Sequence, residues 1–293
     1  MKNFDYFEPS TLEEALKLKQ DYGKEAKFLA GGTDIFVQIK NKKDLPGYLI
    51  DLKEIEDIKN IEEEDGTINI GAGVTITQIK ETELIKEHFP SLQKAACNHG
   101  SEQVRNLATI GGNLCNGAPS NEMSPPRLTF EAQLELLNSS GKTRLVDLKD
   151  FIVGPSKTQI QEDEILTRII VPKWEDKNVL CDYERYGIRN HMDLALASVG
   201  VLLEFEADKK TVKKANIALG GVAPTPMCLP DEEEKELENS TLTEEKIQTV
   251  AELASKSCSP SGRRIPADYR RQVIGVMIKR ILTGMKESLV NSR

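Results

Sequence analysis

Two glycine pairs, each bordered by small hydroxyl or amide side chains, are where this chain's residue types could do chemistry. One is Ala30-Gly31-Gly32-Thr33-Asp34; the other, about 80 residues later, is Thr109-Ile110-Gly111-Gly112-Asn113. Paired glycines tolerate positive φ and bring main-chain N–H groups close to an anion with no Cβ in the way. One such pair is often only a turn. Two, in a chain without the Walker lysine pattern, point to a diphosphate gripped from both sides. The second segment runs on from Val104-Arg105-Asn106-Leu107-Ala108 to Leu114. Its apolar anchors would bury a loop whose amides then need acceptors, and a ligand phosphate would supply them.

The elements that must position these segments follow from periodicity. Ser10 and Glu13 stand at capping-box spacing ahead of a helix with Ala15, Leu16 and Leu18 on its apolar stripe, and Gly23 as its C-cap. Lys27-Phe28-Leu29-Ala30 reads as a strand entering the first glycine pair. Thr33-Asp34 reads as the cap of a helix carrying Ile35, Phe36 and Ile39. A strand at Tyr48–Leu52 closes a small β-α-β lobe over 1–55.

A second lobe, 56–173, begins with alternation at Thr67–Gly71 and a helical stretch from Leu84 to Ala96. It continues with a hairpin of Gln133–Leu136 and Thr143–Val146 about Asn138-Ser139-Ser140-Gly141, and a strand at Ile165–Val171. The third part, 174–293, offers strands at Ala197–Phe205 and Ala215–Leu219, then a solvated acidic run at Asp231–Glu234. Its two closing helices start at Thr241-x-x-Glu244 and at Ala267, the last with Val273, Ile274, Met277, Ile278, Ile281 and Leu282 in a 3.6-residue stripe. Strands followed by helices make this an α+β chain.

Other chemistries find little support. Cys97, Cys115, Cys181, Cys228 and Cys258 contain no Cys-x-x-Cys pair, so a disulfide framework, a zinc site or an iron–sulfur cluster held by this chain is not expected. His88, His99 and His191 have no ligand spacing, and no metal is expected. Gly71-Ala72-Gly73 follows a strand, but Ile76 occupies the third glycine position of the dinucleotide fingerprint, so it reads as a turn. With 39 basic and 47 acidic residues in 293, the net charge is −8, and no basic stripe exists to neutralise nucleic acid. No apolar run is long enough to span a membrane, and the start, Met1 to Glu8, has no signal-peptide core. The expected location is the cytoplasm.

Taken together, the two glycine segments, Pro119-Ser120-x-Glu122-x-x-Pro125, Phe151-x-x-Gly154-Pro155-x-Lys157-Thr158, Asp163-Glu164-Ile165-Leu166 and Tyr183-Glu184-Arg185-Tyr186-Gly187-Ile188-Arg189 resemble the FAD-binding medium subunit of molybdenum hydroxylases. That family includes the flavoprotein subunits of xanthine, carbon monoxide and nicotinate dehydrogenases, and the resemblance extends over essentially the whole chain. It implies a two-lobed FAD-binding fold of the vanillyl-alcohol oxidase type followed by a C-terminal α+β lobe of the carbon monoxide dehydrogenase flavoprotein type.

The resemblance also implies a site. Lys27, Phe28, Leu29, Ala30, Gly31, Gly32, Thr33 and Asp34, with Thr109, Ile110, Gly111, Gly112 and Asn113, would cradle the FAD diphosphate. Ser101 matches a position near the flavin, Leu166 an apolar residue packing on the cofactor, and Glu122 an aspartate that contacts it, with a ribose hydroxyl as the expected partner. Arg185 stands where lysine is commoner, trading a point charge for a planar fork. No residue of this chain is expected to be catalytic in its own right. Molybdopterin and [2Fe-2S] clusters are expected on a large and a small partner subunit, with electrons passing through FAD to NAD or another acceptor, most like the xanthine or purine branch. The alternatives are a stand-alone FAD-dependent reductase of the UDP-sugar type and a binding module that has lost FAD.

Overall fold

The computed structural model describes residues 3–43, 45–174, 178–189, 192–262 and 265–291. Met1, Lys2 and His191, used above, lie outside them. The elements run β1 (Asp5–Phe7), α1 (Leu12–Tyr22), β2 (Ala26–Leu29), α2 (Ile35–Lys40), β3 (Tyr48–Asp51), β4 (Ile61–Glu64) and β5 (Thr67–Gly71). Short helices follow: α3 (Ile76–Glu81), α4 (Glu83–His88), α5 (Pro90–Asn98), α6 (Glu102–Leu107), α7 (Ile110–Cys115) and α8 (Ser124–Thr129). Then come β6 (Gln133–Asn138), β7 (Thr143–Asp147), α9 (Leu148–Phe151), β8 (Ile152–Gly154), β9 (Lys157–Thr158) and β10 (Glu164–Pro172). The chain ends with β11 (Val179–Tyr186), β12 (Ala197–Phe205), β13 (Thr211–Gly220), β14 (Met227–Cys228), α10 (Asp231–Glu234), β15 (Ser240–Thr241), α11 (Glu244–Ser257) and α12 (Ala267–Asn291).

The chain packs into two compact units interleaved in sequence. One comprises Met1–Ile79, Ser101–Gly117 and Ala132–Pro172; the other comprises Lys80–Gly100, Ala118–Glu131 and Lys173–Arg293.

The first unit holds a parallel sheet in the order β1-β3-β2 and an antiparallel one in the order β4-β5-β10-β6-β7. Leu29 is in register with Asp51, so the carboxyl end of β2, and the glycine pair beyond it, emerges beside the end of β3. Helix α1 buries Ala15 and Leu16 in a core shared with Ile50, Leu52 and Ile55. Its cap is Thr11, whose hydroxyl accepts from the Glu14 N–H at 3.2 Å, one residue beyond the expected Ser10; the Ser10 N–H turns to the Glu14 carboxylate instead.

The second unit is built on the sheet β11-β12-β13-β14. Every residue from Ala197 to Leu203 is buried, because β12 is covered on both faces. Helices α11 and α12 pack Val250, Ala254, Ile274, Ile278 and Leu282 against Val199, Val201 and Ile217 on one side. On the other, α8 lies directly on β12: a Cβ at Gly200 would sit 2.9 Å from the Pro125 carbonyl carbon, so only glycine lets Pro125 approach.

Three local expectations change. The stretch Leu84–Ala96 is two helices rather than one, broken at Phe89, with Pro90 starting the second because it has no N–H to give the first. Helix α11 starts from Thr243, not Thr241; the Thr243 hydroxyl accepts from Lys246 N–H, and Thr241 pairs with Thr211 in a strand. The acidic run is not wholly solvated. Between β14 and β15 the outer edge of β13 has no strand beside it among the described residues, and carboxylates replace one: Ile217 N–H donates to Glu234 at 2.6 Å and Ala215 N–H to Glu238 at 3.3 Å.

Burial, reinforced by Asp231 and Glu238, pushes the Glu234 carboxyl up to about 8 against the opposing Ile217 bond and Lys214. Its folded pKa lies above the unfolded value, so the folded state favours the proton. The stability from this group is full at low pH and is lost as pH climbs from the ordinary carboxyl range through about 8. Urea melts of Glu234→Gln are therefore expected to lose this decline, gaining roughly 2 kcal/mol on the natural protein at pH 8 and almost nothing at pH 4.5. A parallel pH dependence for the two proteins would refute it.

Candidate functional site

The two glycine segments, far apart in sequence, meet in the first unit. A Cβ on Gly31 would overlap the Leu107 carbonyl, and one on Gly112 would meet the Ala30 Cβ at 3.5 Å. Gly31 is therefore glycine because the backbone leading into the second segment runs against it. Gly32 is glycine for a different reason, its φ of +75°.

The two segments differ in what their amides do. Among the described residues, the N–H groups of Gly31, Gly32, Thr33, Asp34 and Ile35 form no hydrogen bond. They are only partly covered, so a ligand can reach them. Thr33 and Asp34 were expected to cap α2, but Asp34 makes no side-chain cap bond, which leaves the run of donors open. A backbone stretch with unfilled donors is what an anion-binding bend requires.

The second segment does not share that property, and the expectation of unfilled amides there is corrected. It is the start of helix α7 rather than a loop. Ile110 N–H donates to Val74 at 2.9 Å, Gly111 N–H to Ala72 at 2.9 Å and Asn113 N–H to Thr109 at 3.0 Å. Gly112 N–H is capped by the Thr109 hydroxyl at 3.0 Å. Gly111 is glycine for packing, since its Cβ would come within 2.6 Å of the Ala72 Cβ. Residues 108–110 lie antiparallel along 74–76, joined by Ile76 N–H to the Ala108 carbonyl at 2.9 Å and a Thr75–Thr109 bridge. This pairing was not foreseen. It anchors the second segment to the end of β5 and so sets the wall against which Gly31 packs.

The turn at Gly71-Ala72-Gly73 serves that scaffold. Gly73 N–H donates to the Ile58 carbonyl at 2.7 Å, and a Cβ on Gly71 would strike the same carbonyl. Ser101 caps α6, its hydroxyl accepting from Val104 N–H at 3.2 Å. Lys27, Phe28 and Leu29 lie in β2, and Leu166 is buried in β10 opposite Leu136, next to the bulge before Arg168.

Glu122 and Arg185 belong to the second unit, where the structure gives them another engagement. The Arg185 guanidinium lies 2.9 Å from Glu122 Oε1 and 2.7 Å from Asp193 Oδ1, and the three side chains are 8%, 6% and 8% exposed. Glu122 Oε1 also accepts from Ala195 N–H at 3.1 Å, and His99 Nδ1 lies 3.6 Å from Oε2. Both side chains are enclosed, so neither residue is a surface ion partner. Burial pulls the Arg185 guanidinium down, but the Asp193 bond and the charges of Glu122 and Asp193 outweigh it and hold it above its ordinary value. Burial pushes Asp193 up, and bonds from Arg189 N–H and Arg185 hold it below the usual carboxylate range. Among the described residues no cluster of His, Cys, Asp or Glu could hold a metal ion, and no helix is long and apolar enough to cross a membrane.

An α+β chain with a glycine bend of open amides has its counterpart among known flavoproteins. Residues 2–174 match the family described as the FAD binding domain in molybdopterin dehydrogenase, and residues 183–285 match the CO dehydrogenase flavoprotein C-terminal domain. The xanthine dehydrogenase FAD-binding subunit of Escherichia coli O157:H7 is 31% identical over 280 residues, covering 95% of this chain and 94% of that protein. The carbon monoxide dehydrogenase medium chain of Hydrogenophaga pseudoflava is also 31% identical, covering 95% and 96%. In structure, the chain superposes on a chain of reconstituted CO dehydrogenase from Oligotropha carboxidovorans with a TM-score of 0.92 at 30% identity, covering 98% of each. The chain belongs to the family of FAD-binding medium subunits of molybdenum hydroxylases, oxidoreductases whose flavin is carried on this type of chain. The xanthine-type and carbon-monoxide-type relatives are equally similar, so identity favours neither branch.

Proposed function

We propose that this chain seats the FAD diphosphate on the open amides of Gly31 to Ile35 and relays electrons within a three-subunit hydroxylase. The observation that carries the reading is the run of unfilled N–H groups at that bend, set against the second glycine segment by the close approach of Gly31 to Leu107. The second segment then acts through its shape, with Gly112 against Ala30 and with Thr109 and Asn113 as further cofactor neighbours that the family resemblance implies beside Lys27 to Asp34; its main chain is already committed. Ser101 and Leu166 complete the set of cofactor neighbours that the family resemblance implies. Bound FAD supplies a carrier that takes electrons and releases them, while the protein's part is to hold and orient it.

A large molybdopterin subunit and a small [2Fe-2S] subunit are the proposed partners, with NAD or another acceptor downstream and the cytoplasm as the location. The proposed lobes are 1–55, 56–173 and 174–293, supported by the fact that each stretch carries a sheet of its own, although 80–100 and 118–131 of the second pack with the sheet of the third. The test is reconstitution: chain folded with excess FAD, then stripped of free cofactor, should retain a yellow band near roughly 450 nm and co-purify with the two partners. A chain that stays colourless sinks the reading.

A further inference from the structure

We propose that Arg185 is an internal positioning clamp that fixes the β11–β12 return through Glu122 and Asp193, rather than a charge laid on the flavin nucleotide. The family resemblance assigns Glu122 and Arg185 to the cofactor, so the inference rests on that assignment while disagreeing with it for these two residues. The geometry favours the clamp. One guanidinium nitrogen bridges two carboxylates from different segments: Glu122 just ahead of α8, and Asp193 in the return between β11 and β12. The same nitrogen also donates to the Asp193 main-chain carbonyl at 3.1 Å.

Asp193 closes the return in turn. Its carboxylate accepts from Arg189 N–H at 2.9 Å and fills the space where a Cβ on Gly187 would stand, and Leu196 N–H donates to the Tyr186 carbonyl at 2.8 Å. Glu122 holds the far end of the return through Ala195 N–H. Both departures from the commoner residues act in one direction. A glutamate reaches further than an aspartate, and the arginine side chain is longer than a lysine's, which lets one of its terminal nitrogens meet both carboxylates. The clamp's contacts all run through one terminal nitrogen, and Nε is buried without a hydrogen-bond partner among the described residues, so Nε and the other terminal nitrogen are the donors through which a direct flavin contact could arise.

Charge decides the test. The groups facing the triad are His99 near Glu122, Tyr183 on the same strand, and Arg189 at Asp193. Replacing the guanidinium with an apolar side chain of similar length leaves two buried carboxylates without their shared cation, and that cost is relieved as they protonate. In FAD-free protein, Arg185→Met is expected to lower the melting temperature by about 10 °C at pH 8 and by less than half of that at pH 5. Adding Asp193→Asn should recover part of the loss at pH 8, which a simple packing defect would not do.

In FAD-loaded protein, the midpoint potential of Arg185→Met should match the natural protein's. A deficit that does not change with pH overturns the proposal, as does an unchanged melting temperature or a shifted potential. If the natural protein takes up no FAD, the functional reading above fails, while the pH-resolved melts of the FAD-free chain still decide the clamp.

Discussion

Gly31→Ala is expected to weaken FAD binding by at least about 100-fold, close to 3 kcal/mol, and to destabilise the FAD-free chain by a further 1–3 kcal/mol or so. A methyl group there overlaps the Leu107 carbonyl, which is backbone anchored through the 108–110 pairing and cannot swing aside. The bend must shift, and with it the open amides of Gly31 to Ile35. Gly66→Ala is the control. Gly66 has the same positive φ as Gly32 but no neighbour within 4 Å of its missing Cβ. Alanine there should cost about 1 kcal/mol of stability and leave FAD affinity alone. Flavin fluorescence titrations and urea melts of the two variants check this. Equal FAD affinities would show that the bend does not hold the diphosphate.

Arg270→Met is expected to destabilise the chain by about 3–5 kcal/mol, roughly 10 °C or more in melting temperature. The side chain is nearly buried and acts as a staple from the start of α12. Nε and one terminal nitrogen donate to the Leu196 carbonyl at 2.9 and 2.8 Å, the other terminal nitrogen to Ser261 at 3.0 Å, and the carbonyl of Gly221 is a further acceptor. Methionine keeps the stem's volume but leaves these carbonyls inside without donors, and an unmade bond to a buried acceptor costs more than a made one contributes. Arg270→Lys should recover only part of the loss, because one ammonium cannot span the set. Thermal melts check this, and a drop below about 2 °C would refute it.

The strands were legible because their signals are local. Ala197–Phe205 is the strand over its full predicted length, and the Val273–Leu282 stripe is the buried face of α12. The misreadings fall where a distant neighbour overrode a local signal. Gly111 and Gly112 look like loop residues because glycine disfavours helices, yet they start α7, with Ala72 demanding the absent Cβ of Gly111. The box at Thr241 had the right spacing, but pairing with Thr211 drew that residue into a strand.

At the site, the glycine pairs were legible as a place and not as a mechanism. That one set of amides stays open while the other is filled depends on 74–76, which no motif marks. The Glu122–Arg185 ion pair was hidden too, because α8 and β11 are far apart in sequence and share this contact only after each packs on β12. Asp193 carried no signal beyond being an acid.

The interleaving of the two units has a practical consequence for dissecting the protein. The family boundary near residue 174 looks like a seam at which to cut, but α8 and α5 lie before it and belong with the sheet that comes after. A fragment ending there would expose the Pro125 face of α8, which normally rests on Gly200, and would carry an orphaned Glu122 with no cation opposite. Such truncates should be sticky and poorly soluble, and exchanging the C-terminal part between relatives should succeed only when 80–100 and 118–131 travel with it.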